Sequence, residues 1–155
     1  STGSLGHGLP LAVGFAMSEY LKKKKSKIFC LIGDQELLEG TTWESLHLID
    51  HLNLKNLIIL IDKNNSDFRS VRIKNLKSKF NCFENIKVFE NNGHDISNIH
   101  NIYTKLSYIN KSCIVIFETI KGFGIKQMHN NPEWHHKSPD SHNHLNNLIA
   151  KITTL

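Results

Sequence analysis

Two short apolar runs constrain the fold of this chain more than any other feature. Residues 28–32 (Ile-Phe-Cys-Leu-Ile) and 57–61 (Leu-Ile-Ile-Leu-Ile) each have the length and β-branched content of a buried parallel strand. Between them, residues 41–52 have the apolar periodicity of an amphipathic helix. The pattern therefore predicts one strand, one helix and a second strand that runs parallel to the first.

A polar residue follows each predicted strand. Asp34 comes just after the first run, and Asn64 comes just after the second. The two strands of such a unit point the same way, so both residues should meet at the carboxyl edge of the sheet, where open α/β folds bind ligands. Carboxylate and amide oxygens, together with the phosphates of a ligand, are typical partners of Mg²⁺. The pair therefore predicts a metal-diphosphate site.

The remaining pattern predicts an α/β fold with a mostly parallel sheet and helices on both faces. Residues 112–119 are nearly all apolar, so this strand should lie in the middle of the sheet. The other predicted elements are a helix at 9–24, a surface connection with one short helix at 67–79, a strand at 86–90, a helix from Asp95 or Ser97 to about 109, and a final helix at 143–153.

The first helix should cover the sheet with one apolar face. The glycine-rich residues 1–8 precede it, and such a loop allows backbone to approach a ligand closely, although a simple packing turn is an equal alternative. Gly14 is expected to allow close packing. The apolar positions assigned to the face include Ala12, Phe15, Ala16 and Tyr20.

Composition favours one soluble domain over residues 1–155. The chain has 39% apolar and 21% charged residues and a net charge of +5, and five of its basic residues lie in residues 22–27. A solvated helix end explains that run better than a nucleic-acid site, because no aromatic residues are interleaved with it. No apolar segment reaches the ~20 residues of a membrane helix, and no signal-peptide pattern is present.

Cysteine and histidine spacings do not suggest a framework of disulfides or metal ligands. Cys30, Cys82 and Cys113 are odd in number and far apart, which favours reduced thiols in a cytoplasmic protein. Five histidines lie between His129 and His144, but their spacings fit no standard ligand pattern.

The motifs around these strands resemble those of transketolase. Gly33-Asp34-Gln35 followed thirty residues later by Asn64 is similar to the thiamine-diphosphate fingerprint. The resemblance extends in order over nearly the whole chain. Its further segments are residues 1–8, residues 33–40 with Trp43-Glu44, residues 56–64, Gly93-His94-Asp95, residues 121–124 and residues 130–135.

This resemblance implies a thiamine-diphosphate-binding fold and a specific cofactor site. Mg²⁺, or Ca²⁺ or Mn²⁺ in its place, would be held by Asp34, Asn64 and the backbone carbonyl of Ser66. The residues that would contact the cofactor are Gly3, Leu5, Gly33, Asp34, Gln35, Asn64 and His135. The alternative for Asn64 and the asparagine after it is an ordinary turn pair.

The resemblance also implies three residues that act near the reaction. Lys121 would stand close to the cofactor, and His135 would approach its diphosphate and the reacting carbon of the substrate. Glu39 corresponds to a glutamate at the subunit contact of a dimer, although a carboxylate there could simply favour a helix dipole. His94 is expected to be a structural hydrogen-bonding residue and not a catalyst.

Several departures from the family pattern bear on activity. Gln35 replaces a usual second glycine, and the residues from Phe68 onward lack the polar residues and the glycine of the sugar enzymes. The glycine-rich opening normally lies inside the domain, so we expect an amino-terminal segment to be missing. In the family the activating glutamate belongs to a separate pyrimidine-binding domain, which we expect to be absent from residues 1–155. We therefore expect a partner subunit or a missing carboxyl-terminal half, and a homo- or hetero-oligomer.

These features leave several hypotheses for function. The first is ketol transfer between phosphorylated sugars of the pentose phosphate pathway, with activity only beside a pyrimidine-domain partner. The second is a non-catalytic relic that keeps the fold for interaction. A related thiamine enzyme, such as a deoxyxylulose-phosphate synthase, shares the fingerprint, but Trp134-His135 and Glu39 favour transketolase. A generic nucleotide-binding domain is weaker, because no Gly-x-Gly-x-x-Gly follows any strand.

Overall fold

A four-stranded, all-parallel sheet forms the centre of the molecule. The computed structural model describes residues 3–65, 71 and 73–152. The strands are β1 (Ile28–Gly33), β2 (Leu57–Lys63), β3 (Ile86–Asn92) and β4 (Ser112–Glu118), in the spatial order β1-β2-β4-β3. The α-helices are α1 (Gly8–Leu21), α2 (Gly40–His51), α3 (Leu76–Phe80), α4 (Ile96–Tyr108) and α5 (His142–Ile152).

Alternate residues of the two central strands supply the two layers of the core. On β2, Ile59 and Ile61 belong to a cluster with buried residues of α1, α2 and α3, whereas Ile58 belongs to a second cluster with Ile102 and Leu106 of α4. Successive side chains of a strand point to opposite faces, so a strand buried on both faces must be apolar throughout. The predicted fold class is confirmed, including helices on both faces and β4 inside the sheet.

Helix α1 differs from its prediction in length and in the face that it buries. It ends at Leu21, three residues before the predicted end, and Lys23 lies just beyond it with a φ of 55°. A left-handed residue cannot continue a right-handed helix, and the amide N–H groups of Lys22 and Lys23 bond back to the last turn. The four basic residues from Lys22 to Lys25 therefore lie outside the helix.

The assignment of Phe15 and Tyr20 to the buried face of α1 was wrong. Their side chains are 64% and 57% exposed, and no atom lies within 4 Å of a Cβ built on Gly14. Residues that recur every three to four positions share one face of a helix, and the apolar character of α1 nearly all round hides which face that is. The buried residues are Leu9, Ala12, Val13 and Ala16.

The elements after β2 agree with their predictions within two or three residues. Asp95 is the residue that caps α4, because its Oδ1 accepts a hydrogen bond of 3.1 Å from the amide of Asn98, whereas Ser97 lies inside the helix. Helix α3 is the one short helix expected in the surface connection. Residues 66–70 and 72 of that connection lie outside the described part of the chain.

The three cysteines are free thiols, and two of them should be unreactive in the folded chain. Cys30 and Cys113 are buried and Cys82 is exposed. Burial, with a smaller contribution from the nearby Glu36, raises the pKa of Cys30 to about 11, and burial also raises the pKa of Cys113. The thiolate is the reactive form.

Iodoacetamide at pH 8 is therefore expected to label one thiol per folded chain, Cys82, and all three in urea, as counted by mass spectrometry. A raised pKa means that the folded state holds the thiol proton more tightly than the unfolded state. Unfolding free energy should therefore fall as the pH rises toward 11. Rapid labelling of Cys30 under native conditions at pH 8 would contradict the buried position of this thiol.

Among the residues that the structure describes, no helix has both the length and the apolar character needed to cross a membrane.

Candidate active site at the carboxyl edge of the sheet

The ends of all four strands lie at one edge of the sheet. Gly33 at the end of β1 is in register with Asp62 of β2, and Glu118 at the end of β4 is in register with both Lys63 and Asn92. Asp34, Asn64, His94 and Lys121 follow these four strands, so the loops that carry them leave the sheet at the same edge. This is the edge at which parallel sheets bind ligands.

Asp34 and the loop after β2 are in direct contact. The Asp34 Oδ2 atom accepts a hydrogen bond of 2.9 Å from the amide of Asn65. The Asn64 Nδ2 atom donates to Asp62 Oδ2 at 2.9 Å, which turns the amide oxygen of Asn64 away from that carboxylate. The structure thus brings together the two strand tips that the fingerprint pairs. Ser66, the third predicted metal ligand, lies outside the described residues.

This edge suits a metal that shares its ligands with a phosphate group. Within residues 3–65, 71 and 73–152, no three His, Cys, Asp or Glu side chains cluster as a metal site. The predicted set has instead one carboxylate, one amide and one backbone carbonyl. Such a set fits Mg²⁺, which keeps waters or substrate phosphates in its remaining positions.

Asp62 ties the ends of the two central strands together. Its Oδ1 accepts a hydrogen bond from Thr119 Oγ1, and the Thr119 amide donates to the Lys63 carbonyl at 3.2 Å. Lys63 also forms an ion pair with Glu118 across the same two strands. The loops that carry Asn64 and Lys121 therefore start from strand ends that are held together by these contacts.

The glycine-rich loop is attached to the end of β1 by one side chain. Glu36 accepts hydrogen bonds of 3.1 Å from the amide of Gly6 at one carboxylate oxygen and from the amide of Gly33 at the other. The Thr41 hydroxyl donates to the Gly6 carbonyl at 2.7 Å. Sequence reasoning missed Glu36, because its partner lies thirty residues away and no local pattern reveals the contact.

The glycines at this edge serve two different purposes. Gly6 has a φ of +78°, and a Cβ built on it would lie 2.6 Å from Glu39 Cβ, so the fold itself requires glycine there. Gly33 has a φ of −83°, and no atom lies within 4 Å of a Cβ built on Gly33 or on Gly3. The fold does not require glycine at positions 3 and 33, and an open approach to backbone is what a diphosphate needs.

The departure at Gln35 is compatible with the local backbone. Gln35 is half-buried in a 3-10 turn, Asp34–Leu38, and is not among the described residues with positive φ. A residue with a side chain can therefore occupy the position without backbone strain. Leu5, the other predicted backbone contact, is 48% exposed on the glycine-rich loop.

Lys121 and His135 lie together on the segment after β4. Lys121 Nζ and His135 Nδ1 are 2.8 Å apart, and the amide of Asn130 closes the segment by donating to the Lys121 carbonyl at 2.9 Å. An ammonium group has only donors, so Nδ1 accepts and the proton of the neutral imidazole lies on Nε2. The contact therefore orients the imidazole on the segment after β4.

His94 supports the start of the same segment, as the sequence interpretation expected. Its Nε2 accepts a hydrogen bond of 2.7 Å from the amide of Ile120, and its ring stacks on Phe123 at 3.8 Å between centroids. These residues line a cleft of about 710 Å³ at the carboxyl edge, together with Asn65 and Thr119. The cleft connects the loop after β2 with the segment that carries Lys121 and His135.

Glu39 lies between the 3-10 turn and α2, where it occupies the N-cap position. Its side chain makes no capping hydrogen bond, and it is half-buried beside Gly6. If Glu39 only stabilises the helix dipole, its place at the start of α2 is sufficient. If Glu39 contacts another subunit, a second chain is needed as well. The position alone fits both interpretations.

Comparison with known proteins identifies relatives over almost the entire chain. The profile described as "Transketolase, thiamine diphosphate binding domain" matches residues 1–151. Two relatives are each a subunit of an apulose-4-phosphate transketolase. The one from Actinobacillus succinogenes is 38% identical over 90% of this chain, and the one from Phocaeicola vulgatus is 31% identical over 90%. The chain spans about half the length of these relatives, 52% and 51% respectively.

Solved structures agree with the fold. A transketolase from Leishmania mexicana superposes with a TM-score of 0.81 at 23% identity, over 98% of this chain and 25% of that one. A transketolase from Pichia stipitis superposes with a TM-score of 0.71 at 21% identity, over 99% of this chain and 28% of that one. At this level of identity the two structures establish the architecture alone.

Proposed function

Since the chain belongs to the transketolase family, within the thiamine diphosphate-binding domain, we propose that it supplies the diphosphate- and metal-binding part of a cytoplasmic transketolase. The reaction would transfer a two-carbon ketol unit between phosphorylated sugars. The observation that carries the proposal is the hydrogen bond from the Asn65 amide to Asp34, because it joins the two strand tips that would hold the metal.

The chain would contribute a metal clamp and a backbone cradle. Asp34, Asn64 and the Ser66 carbonyl would hold Mg²⁺, or Ca²⁺ or Mn²⁺, and the metal would bind the diphosphate oxygens. Gly33 and the loop around Gly3 and Leu5 would allow the diphosphate to approach backbone. When bound, thiamine diphosphate supplies a nucleophilic carbon and an electron sink for the two-carbon unit.

Lys121 and His135 would act on charge near the cofactor. Their contact at 2.8 Å orients the imidazole. We propose that this imidazole donates to the diphosphate or moves a proton of the substrate. The Lys121 ammonium would stabilise negative charge beside it. Both roles need the segment after β4 to stay in place, and the His94 hydrogen bond to the Ile120 amide supports that segment.

Activity would require a second polypeptide segment. The two bacterial relatives are matched over about half their length, and each is named as one subunit of its enzyme, which implies at least one further subunit in those proteins. We propose a pyrimidine-domain partner for this chain, contacted through Glu39, and a phosphorylated ketose as the donor. The relatives named for apulose 4-phosphate make that sugar the first substrate to assay.

Replacing Gly33 by alanine is expected to weaken thiamine diphosphate binding about tenfold and to leave stability within about 0.5 kcal/mol of the unchanged chain. The added methyl group meets no protein atom within 4 Å, so only a bound ligand would be displaced. Calorimetric titration and urea denaturation measure the two quantities. Unchanged affinity would remove Gly33 from the cofactor site.

Calorimetric titration with thiamine diphosphate, in Mg²⁺ and in EDTA, tests the proposal directly. We expect binding in Mg²⁺ and its loss in EDTA, followed by ketol transfer from a phosphorylated ketose once a pyrimidine-domain partner is added. The chain alone should show no turnover. If metal-dependent binding fails even with the partner present, the chain is a non-catalytic relic, for which Gln35 and its half-buried side chain would be the first cause to examine.

A further inference from the structure

A second cleft lies at the opposite edge of the sheet from Asp34 and Asn64. It has a volume of about 400 Å³, and its lining includes Lys27 just before β1 and Asn56 just before β2. The strands between the two edges have six and seven residues, which separates the edges by roughly 20 Å. The cleft is therefore distinct from the proposed cofactor site. Its principal side chains are those of Tyr20, Lys24, Lys25, Lys27, Lys55 and Tyr108.

The cleft carries positive charge that the described residues only partly neutralise. None of its lining residues is Asp or Glu. Lys24 pairs with Glu19 at 3.6 Å, whereas the part of the chain that the structure describes has no ion pair to Lys25 or Lys55. The other three ammonium groups, those of Lys25, Lys27 and Lys55, form no ion pair with a described carboxylate, and together they attract a multivalent anion.

Lys27 gives the cleft a fixed cation. Its Nζ donates to the carbonyl of Leu106 at 3.2 Å and to the carbonyl of Ile109 at 2.8 Å, at the carboxyl end of α4. These carbonyls orient the ammonium group without removing its formal charge, and one of its three N–H donors is not used by them. A preorganised cation of this kind binds an anion at a lower entropic cost than a mobile lysine.

The same cleft offers surfaces that suit an aromatic base. The Tyr20 and Tyr108 side chains are 57% and 85% exposed, and tyrosine rings are platforms on which nucleobases stack. Asn56 Nδ2 donates to the Ala16 carbonyl at 2.9 Å, but Asn56 Oδ1 is buried with no hydrogen-bond partner among the described residues. Because that oxygen is enclosed by protein, the two exposed tyrosine rings are the surfaces that a base would contact.

We propose that this basic cleft binds a nucleoside polyphosphate, with the phosphates against the lysines and the base against the tyrosines. The inference goes beyond the transketolase reaction and does not depend on it. The run from Lys22 to Lys27 had indicated only a solvated helix end, because no aromatic residue is interleaved with it in the sequence. The fold places Tyr20 and Tyr108 beside the same lysines, although they come from different helices.

Calorimetric titration of the whole chain with ATP in EDTA, without thiamine diphosphate, tests the proposal. We expect saturable binding that a Lys25→Gln/Lys55→Gln double variant weakens about tenfold. A Lys87→Gln/Lys105→Gln variant makes the same change of net charge at exposed positions outside the cleft, and it should bind ATP nearly as the unchanged chain does. Equal losses in the two double variants would mean that only net charge attracts ATP, and the site would be rejected.

Two further experiments distinguish recognition of the base from recognition of the phosphates, and binding in this cleft from binding in the cofactor site. Tyr108→Ala changes an exposed side chain, and it should weaken ATP binding several-fold while leaving inorganic tripolyphosphate binding unchanged. Tripolyphosphate that binds the unchanged chain as tightly as ATP would overturn the nucleoside assignment. In Mg²⁺, where thiamine diphosphate is expected to fill its own site, displacement of ATP by thiamine diphosphate would place the ATP in the cofactor site and overturn the proposal. These outcomes are independent of whether ketol transfer is found.

Discussion

Replacement of Asp34 by asparagine is expected to reduce Mg²⁺-dependent affinity for thiamine diphosphate by about a hundredfold or more. Asp34 is the one charged member of the predicted ligand set, which otherwise consists of an amide and a backbone carbonyl. Asparagine retains an oxygen that can accept the Asn65 amide, at present 2.9 Å from Asp34 Oδ2, so the two loops should stay together. Calorimetric titration measures the affinity, and thermal unfolding shows whether the fold is kept.

Glu133→Gln is the matched control for Asp34. Glu133 is an exposed carboxylate on the segment after β4, so its replacement makes the same change of charge near the same edge. We expect affinity to change less than about twofold in this variant. Asp34→Ala should lose both the metal and the hydrogen bond to Asn65, and should therefore also unfold at a lower temperature. If Asp34→Asn bound thiamine diphosphate normally in Mg²⁺, the metal would have to be held elsewhere.

Replacement of Gly6 by alanine is expected to lower the free energy of unfolding by about 3 kcal/mol. A φ of +78° strains any residue with a side chain, and the new Cβ would lie 2.6 Å from Glu39 Cβ and 2.7 Å from Thr41 Oγ1. Glu39 Cβ is attached directly to the backbone and cannot swing aside. Relief of the clash would break the Thr41 hydrogen bond to Gly6 that holds the glycine-rich loop.

Gly3→Ala is the matched control for Gly6, since no atom lies within 4 Å of its added methyl group. Urea denaturation should show the loss in Gly6→Ala and a change of less than about 0.5 kcal/mol in Gly3→Ala. For a domain of this size, 3 kcal/mol corresponds to a fall of roughly 6–12 °C in Tm. Equal stability of the two variants would mean that the loop moves freely away from Glu39 and Thr41, and that the cradle is not rigid.

The strands and the two fingerprint residues were predictable because their signals are local. A run of β-branched residues favours a buried strand wherever it lies, and parallel strands joined by one helix place Asp34 and Asn64 at a common edge. Asp95 was one of two candidate caps in the sequence, because a cap acts on an amide only a few residues away, and the structure identifies it as the cap. The metal-ligand roles themselves stay predictions.

The buried face of α1 and the partners of the side chains that support the site could not be predicted. A helix that is apolar nearly all round gives no periodic signal for its buried face. Leu9 and Val13 are buried and Phe15 and Tyr20 are exposed because of the side of α1 that packs on the sheet. Glu36 and His94 act on amides thirty and 26 residues away in sequence. Neither contact has a local pattern, because chain folding alone sets the partners of such side chains.

The strands, the polar residues that follow them and the resemblance to the family could all be recognised in the amino-acid sequence, since apolar periodicity is local and the motifs occur in a fixed order along the chain. The folded chain alone revealed that Glu36 binds the glycine-rich loop to β1, that Lys121 contacts His135, and that two tyrosines lie beside the lysines of the basic cleft. These contacts join segments that are distant in the chain. Their geometry depends on the packing of every element between them.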